Sequence, residues 1–260
     1  MRPWAFLLLV SLLAVPSRAS DLTDLVKSTK PAVVLLEMYD GLGNKVGTGS
    51  GFFVTAEGWL VTNYHVIEPA SRIAARMFDR ETLEVEGVLA VDEANDLAVL
   101  QAIGGPFVPL ALAPRSPREA GGEVVVLGGP LGLAGTVTRG NVSAIRAPED
   151  QSAGDEDWWP EVPLIQIDAA VSQGSSGSPV MNLDGQVLGV VVSQYLVGQN
   201  LNFAVPVETL KELLNGISLD QEPVSFRQTT RIASGDYLVN VGISLLFFIG
   251  LTFAYRRLMR

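Results

Sequence analysis

The sequence predicts an all-β protein of two six-stranded barrels in series, with a short N-terminal helix, a closing C-terminal helix and one transmembrane helix. Three observations predict it. Short Val- and Ile-rich runs bounded by Gly, Pro and Asp-Gly recur in two series, as half-buried strands do. A stretch rich in proline and glycine, 104–122, divides the two series and reads as a crossover. The chain has 260 residues, 48% of them hydrophobic, enough for one all-β barrel domain or two small ones.

Taken in order, Met1-Arg2 precedes an apolar run from Ala5 to Val15, which as a helix reaches only about 17 Å. That is too short to cross a bilayer core of about 30 Å. With the small-residue site Ser17-Arg18-Ala19 it reads as a signal peptide, residues 1–19, with an uncleaved anchor as the alternative. The main domain then spans 20–215. Leu22, Leu25 and Val26 fall at helical spacing, and Pro31 ends that helix. The first barrel, 31–103, is read from strands at 32–39, 47–54, 59–62, 83–91 and 97–101. The second, 123–206, is read from strands at 123–127, 135–145, 164–167, 179–183, 187–194 and 201–205. Residues 207–214 read as the closing helix, and the polar residues 216–236 as a stalk.

Residues 237–255 carry no charge, and 11 of these 19 are Leu, Ile, Val or Phe. At about −0.3 to −0.6 kcal/mol each, they favour insertion by about 3 to 7 kcal/mol. Tyr237 and Tyr255 stand at the two ends, and Arg256, Arg257 and Arg260 form the tail 256–260. The expected topology is a single pass through the cell (inner) membrane, with the main domain periplasmic and the C-terminus cytoplasmic.

Composition closes off several chemistries. A formal net charge of −10 argues against nucleic-acid binding, which needs a basic face. With no cysteine there is neither a disulfide nor a thiolate site. With one histidine, His65, a zinc site built on several histidines is impossible. No metal and no cofactor are expected.

Three segments can carry chemistry. Thr62-Asn63-Tyr64-His65-Val66 ends a strand, Asn95-Asp96-Leu97-Ala98 opens one, and Gly174-Ser175-Ser176-Gly177-Ser178-Pro179 is a glycine-flanked serine loop. A serine hydroxyl needs a neighbouring base, an imidazole of ordinary pKa about 6.5 can serve at neutral pH, and a buried carboxylate orients that imidazole. His65, Asp96 and Ser176 are therefore the expected catalytic triad, with the backbone N–H groups of Gly174, Ser175 and Ser176 as the oxyanion hole. Ser172, Ser175, Ser178 and Asp92 are the rivals. The order His, Asp, Ser differs from those of subtilisins and α/β-hydrolases and agrees with a chymotrypsin-like double barrel.

These motifs resemble the HtrA/Deg branch of trypsin-like serine proteases over about residues 22–214. Gly49-Ser50-Gly51-Phe52, Gly135 through Ser143, Asp168-Ala169-Ala170 and Asn202-Phe203-Ala204-Val205-Pro206 complete the resemblance, in order. It implies a serine endopeptidase acting on protein or peptide substrates, here held to the membrane by 237–255, and a homo-oligomer as a possible state. Ser175 stands where the family usually has asparagine. Ser178 replaces the second glycine after the nucleophile, as in glutamyl endopeptidases. No PDZ domain is read after Pro206. In trypsins a carboxylate six residues before the nucleophile selects basic side chains, and here that position is Ala170. An apolar pocket of modest size is expected, lined by Ala170, Val171, Val190, Val191 and Val192, which favours cleavage after small or medium aliphatic residues. The competing reading is a catalytically silent chaperone or binding module on the same fold. The acidic loop 147–161, with Trp158-Trp159, reads either as a solvated loop or as a docking surface.

Overall fold

The computed structural model describes residues 22–151, 160–192, 201–218 and 220–226. The expected signal peptide, the transmembrane segment 237–255, the tail and most of the acidic loop lie outside the described residues. Among the described residues no helix is long and apolar enough to cross a membrane.

Six antiparallel strands close the first barrel: β1 (Val33–Tyr39), β2 (Lys45–Phe53), β3 (Trp59–Thr62), β4 (Arg72–Arg76), β5 (Thr82–Asp92) and β6 (Leu97–Ala102). Their order around the barrel is β1-β2-β3-β6-β5-β4. The second comprises β7 (Glu123–Gly128), β8 (Thr136–Arg146), β9 (Leu164–Ile167), β10 (Pro179–Met181), β11 (Val187–Val192) and β12 (Asn202–Pro206), closed in the order β10-β11-β12-β9-β8-β7. Residues 104–122 cross between them without a named strand, as expected.

Successive strand residues face opposite sides, and the sequence uses both. In the first barrel Val34, Leu36, Phe53 and Leu60 fill the interior, while Val33, Phe52, Val61 and Leu97 point at the second barrel. There Val125, Leu127, Leu164, Met181, Val190 and Val192 meet them, and Val124, Val126, Ile165, Ile167 and Val191 fill the second interior. The unbroken apolar runs are thus one face of barrel core and one of interface. Two helices seal that interface: Leu25 of α1 (Leu22–Thr29) and Leu210 of α3 (Val207–Asn215) both join it. Each buried Leu or Val contributes about 1.5–3 kcal/mol.

The sequence reading passed over β4. Its residues, Arg-Ile-Ala-Ala-Arg, combine two alanines with flanking arginines, a poor strand signature. Barrel closure makes it a strand, because β1 pairs it on one side (Met38 with Ile73) and β5 on the other (Ala75 with Leu83).

The expected stalk also begins differently. Residues 217, 218 and 220–226 run back over the first barrel. Val88 on β5 and Val224 exchange two N–H···O bonds of 2.8 Å, Gln221 donates to the Leu89 carbonyl, and Phe226 is buried in the barrel core. Polar spacing in Ser218-Leu219-Asp220-Gln221-Glu222 hid this strap, in which Ile217 and Phe226 are buried and Val224 is held through its backbone.

Candidate active site

His65 lies on α2 (Tyr64–Ile67), a single turn after β3 that the sequence reading had merged into the strand end. Asp96 closes the turn into β6 with φ of 53°, a left-handed conformation that Asp tolerates better than most residues. Its backbone carbonyl accepts from Asn63 Nδ2 at 2.8 Å and from the Tyr64 N–H at 3.3 Å. Its carboxylate is turned wholly toward the histidine. Oδ1 accepts the His65 backbone N–H at 2.8 Å, and Oδ2 lies 2.6 Å from His65 Nδ1. Asp96 is 2% exposed, whereas the His65 side chain keeps 25% of its surface open. A buried carboxylate on Nδ1 keeps that nitrogen protonated and leaves Nε2 as the basic one.

The rival Asp92 is otherwise engaged. Its carboxylate caps the turn through the Asn95 N–H at 3.0 Å and Asn95 Nδ2 at 2.8 Å.

Ser176 sits in a tight loop before β10. Ser175 and Ser178 donate backbone bonds to Ser172 and Ser175 at 2.9 and 3.0 Å, and Gly177 donates to Val191 on β11 at 3.0 Å. Gly174 and Gly177 have φ of 92° and 84°, so glycine is required at both. A Cβ on Gly177 would stand 2.2 Å from the Ser50 carbonyl and 2.5 Å from Thr62 Oγ1, so the loop is pressed against the strands that lead to His65. Of the three N–H groups expected in the oxyanion hole, that of Ser175 is already engaged by the Ser172 carbonyl. The Ser175 side chain also turns into the loop, 3.4 Å from the Ser172 N–H, which accounts for serine at this position.

Ser178 is accommodated by β7. Its hydroxyl is buried without a partner among the described residues and lies where a side chain on Gly128 would be, 2.0 Å from an ideal Cβ there. The serine is therefore matched by a glycine on the facing strand.

The expected pocket is corrected in part. Ala170 is exposed and Val171 half-buried against the second barrel. Val190, Val191 and Val192 are core instead, each at most 1% exposed, with Val190 and Val192 in the interface and Val191 in the barrel interior. Alternation along a strand buried on both faces leaves none of the three for a pocket wall.

One contributor had no role in the sequence reading: Ser50 on β2. Its N–H donates to the Ser176 carbonyl at 2.8 Å, and its hydroxyl donates to the Gly174 carbonyl at 2.8 Å and accepts from the Gly129 N–H at 3.0 Å. Thr62 Oγ1 donates to its carbonyl at 2.8 Å. The only trace in the sequence was a serine between Gly49 and Gly51, where small residues permit close approach of another chain segment.

The chain is similar to known peptidases in sequence and in fold. The model of the trypsin-like peptidase domain matches residues 49–190, more than half of the chain. The mitochondrial serine protease HTRA2 of Bos taurus is 36% identical over 205 residues, covering 76% of this chain and 43% of its own length. A probable periplasmic serine endoprotease, DegP-like, of Hahella chejuensis is 36% identical over 171 residues, covering 65% of this chain and 35% of its own. The chain thus spans less than half the length of these curated relatives. Among solved structures, a protease of M. tuberculosis in its active form superposes with a TM-score of 0.66 at 28% identity, over 87% of this chain and 97% of the other. The HtrA-type protease AlgW with a tripeptide gives 0.65 at 27% identity, over 75% and 62%. Double barrel, buried Asp96–His65 pair, glycine-flanked Ser176 and these matches together place the chain in the trypsin-like peptidase family, with a domain of the HtrA/DegP kind.

Proposed function

We propose that the chain is a serine endopeptidase that cleaves protein substrates through an acyl-enzyme on Ser176. The observation that carries this reading is the buried Asp96 carboxylate engaging His65 through both oxygens, an arrangement that a silent module has no need to maintain. In the reaction Ser176 Oγ adds to the scissile carbonyl as its proton passes to His65 Nε2. The Gly174 and Ser176 N–H groups receive the oxyanion, and Asp96 stabilises the imidazolium. The imidazolium proton then goes to the leaving amine, and water, deprotonated by the same histidine, splits the acyl ester.

In this proposal cleavage follows small or medium aliphatic residues, since Ala170 offers no charge at the pocket. The catalytic domain acts outside the cytoplasm, tethered by 237–255. The apolar run itself supports that tether, and the word periplasmic in the names of two bacterial relatives supports the compartment. The test is labelling of the chain with a fluorophosphonate probe, followed by a peptide-hydrolysis assay. The chain is expected to take one label, and Ser176→Ala and His65→Ala to lose both label and hydrolysis. Undiminished hydrolysis by His65→Ala would overturn the reading, and no label on the unmodified chain would favour the silent module.

A further inference from the structure

Beyond the triad, the geometry points to Asn63 as the residue that positions Asp96 against His65, an inference that rests on the peptidase reading above. Asn63 stands between β3 and α2 and is fully buried. It occupies the N-cap position of α2, where an asparagine oxygen ordinarily accepts an N–H of the first helical turn. Here it makes no such bond. Its Nδ2 instead donates to the Asp96 carbonyl at 2.8 Å, and its Oδ1 is buried without a partner among the described residues. Turning the amide over would set Oδ1 against that carbonyl, oxygen to oxygen, so the direction of the bond is fixed.

The capping falls to Asp96. Strands β3 and β6 pair as far as Thr62 and Ala98. Beyond that rung the Tyr64 N–H reaches the Asp96 carbonyl at 3.3 Å, and the His65 N–H is taken by Asp96 Oδ1 at 2.8 Å. Three consecutive residues thus close on one aspartate.

The Asp96 main chain is otherwise loosely held. It adopts φ of 53°, and its own N–H reaches the Glu93 carbonyl only at 3.4 Å. The Asn63 bond, at 2.8 Å, is shorter than either backbone bond. A carbonyl held in place fixes the plane of the Asp96–Leu97 peptide, from which the Asp96 side chain departs toward His65. An orphaned buried acceptor weakens a fold, so packing alone does not account for an asparagine here, whereas its hold on Asp96 does.

Asn63→Ala in the full-length chain tests this, with Thr29→Ala as control. Thr29 Oγ1 donates to the Leu25 carbonyl at 2.8 Å, a buried bond of the same length in α1, so its loss perturbs the fold without touching the site. Asp96→Asn removes about 10⁴ in kcat, and misplacing a catalytic group by about 1 Å costs about 10². Asn63→Ala is therefore expected to lower kcat about tenfold to hundredfold with KM within about threefold. Because Asn63 acts through the carboxylate, adding Asn63→Ala to Asp96→Asn is expected to cost less than about twofold more. A second readout needs no substrate. The chain has one histidine, so the proton between His65 Nδ1 and Asp96 Oδ2, 2.6 Å apart, gives a single far-downfield NMR resonance. That resonance is expected to move upfield in Asn63→Ala, and Thr29→Ala is expected to match the unmodified chain in both measurements. Should Asn63→Ala fail to fold, Asn63→Ser, a good N-cap residue too short to reach the Asp96 carbonyl, is read by the same criteria. A kcat within about twofold of the unmodified value, a loss confined to KM, an equal loss in Thr29→Ala, the full loss persisting in the Asp96→Asn background, or an unmoved His65 resonance would overturn the assignment. A shifted resonance in a chain that never takes a fluorophosphonate would refute the peptidase reading and leave the Asn63 clasp standing.

Discussion

Removing Phe226 should destabilise the first barrel as much as removing any central core residue. Phe226 is 5% exposed and packs in the cluster that contains Phe53, Leu60 and Leu100, although it follows the closing helix by more than ten residues. A buried Phe→Ala change costs about 3–5 kcal/mol, which in a domain of this size lowers the melting temperature by about 6–20 °C. A second substitution reaches the strap from the other side. A Cβ on Gly87 would stand 2.5 Å from the Val224 carbonyl oxygen, 3.0 Å from its carbonyl carbon and 3.2 Å from Pro223 Cβ. Gly87→Ala should therefore displace the strap, and the two Val88–Val224 hydrogen bonds add about 1 kcal/mol each to the loss. Because both changes release the same segment, their effects should fall well short of additive in the double variant. The assay is thermal unfolding of the single and double variants followed by circular dichroism. A melting temperature within about 2 °C of the unmodified chain for Phe226→Ala, or full additivity of the pair, would show that residues 217–226 do not form part of the folded unit.

Four further outcomes are expected. Asp96→Asn should lower kcat about 10⁴-fold with little change in KM, the magnitude known for the equivalent change in a trypsin-like enzyme, and steady-state kinetics on a peptide would reveal a smaller loss if the carboxylate were dispensable. Gly128→Ala should destabilise strongly because its Cβ meets the Ser178 hydroxyl, and Ser178→Gly should recover most of that loss; denaturant titration of the four combinations checks it, with no recovery counting against the packing described. Ala170→Asp should admit Lys or Arg before the scissile bond in a peptide-library profile, while a basic or acidic preference in the unmodified chain would show the pocket to be misplaced. Finally, Lys45 donating to Glu37, opposed by burial and aided by Tyr39, holds that carboxyl below its ordinary range. A lowered folded pKa stabilises above the unfolded value of about 4.3, and that contribution is lost as pH falls through the folded value. Glu37→Gln should therefore be less stable than the unmodified chain at pH 7, with the gap closing as the pH drops below about 4.3; a gap constant down to pH 3 would refute the pairing.

Fold class, barrel number and the triad candidates were legible in the sequence because each has a local signature. Val124-Val125-Val126-Leu127 and Leu97-Ala98-Val99-Leu100 announce strands by themselves, and His65, Asp96 and Ser176 each stand in a short stretch whose residue types serve one chemistry. What the triad residues do to one another is not local. The bond between His65 and Asp96 joins residues 31 apart, and that between Ser50 and Gly174 joins residues 124 apart. Tertiary structure alone made Arg72–Arg76 a strand, because closing a barrel requires a partner for β1 whatever the propensity of the residues there. It alone assigned Val190, Val191 and Val192 to the core, since an apolar strand reads the same whether its faces meet a substrate or two hydrophobic cores. It also drew residues 217–226 onto β5, where burial of Phe226 outweighs the polar character of the segment around it. Chemistry carried by a few adjacent residues is written in the chain, whereas burial and hydrogen-bond partnership depend on which distant segments the fold brings together.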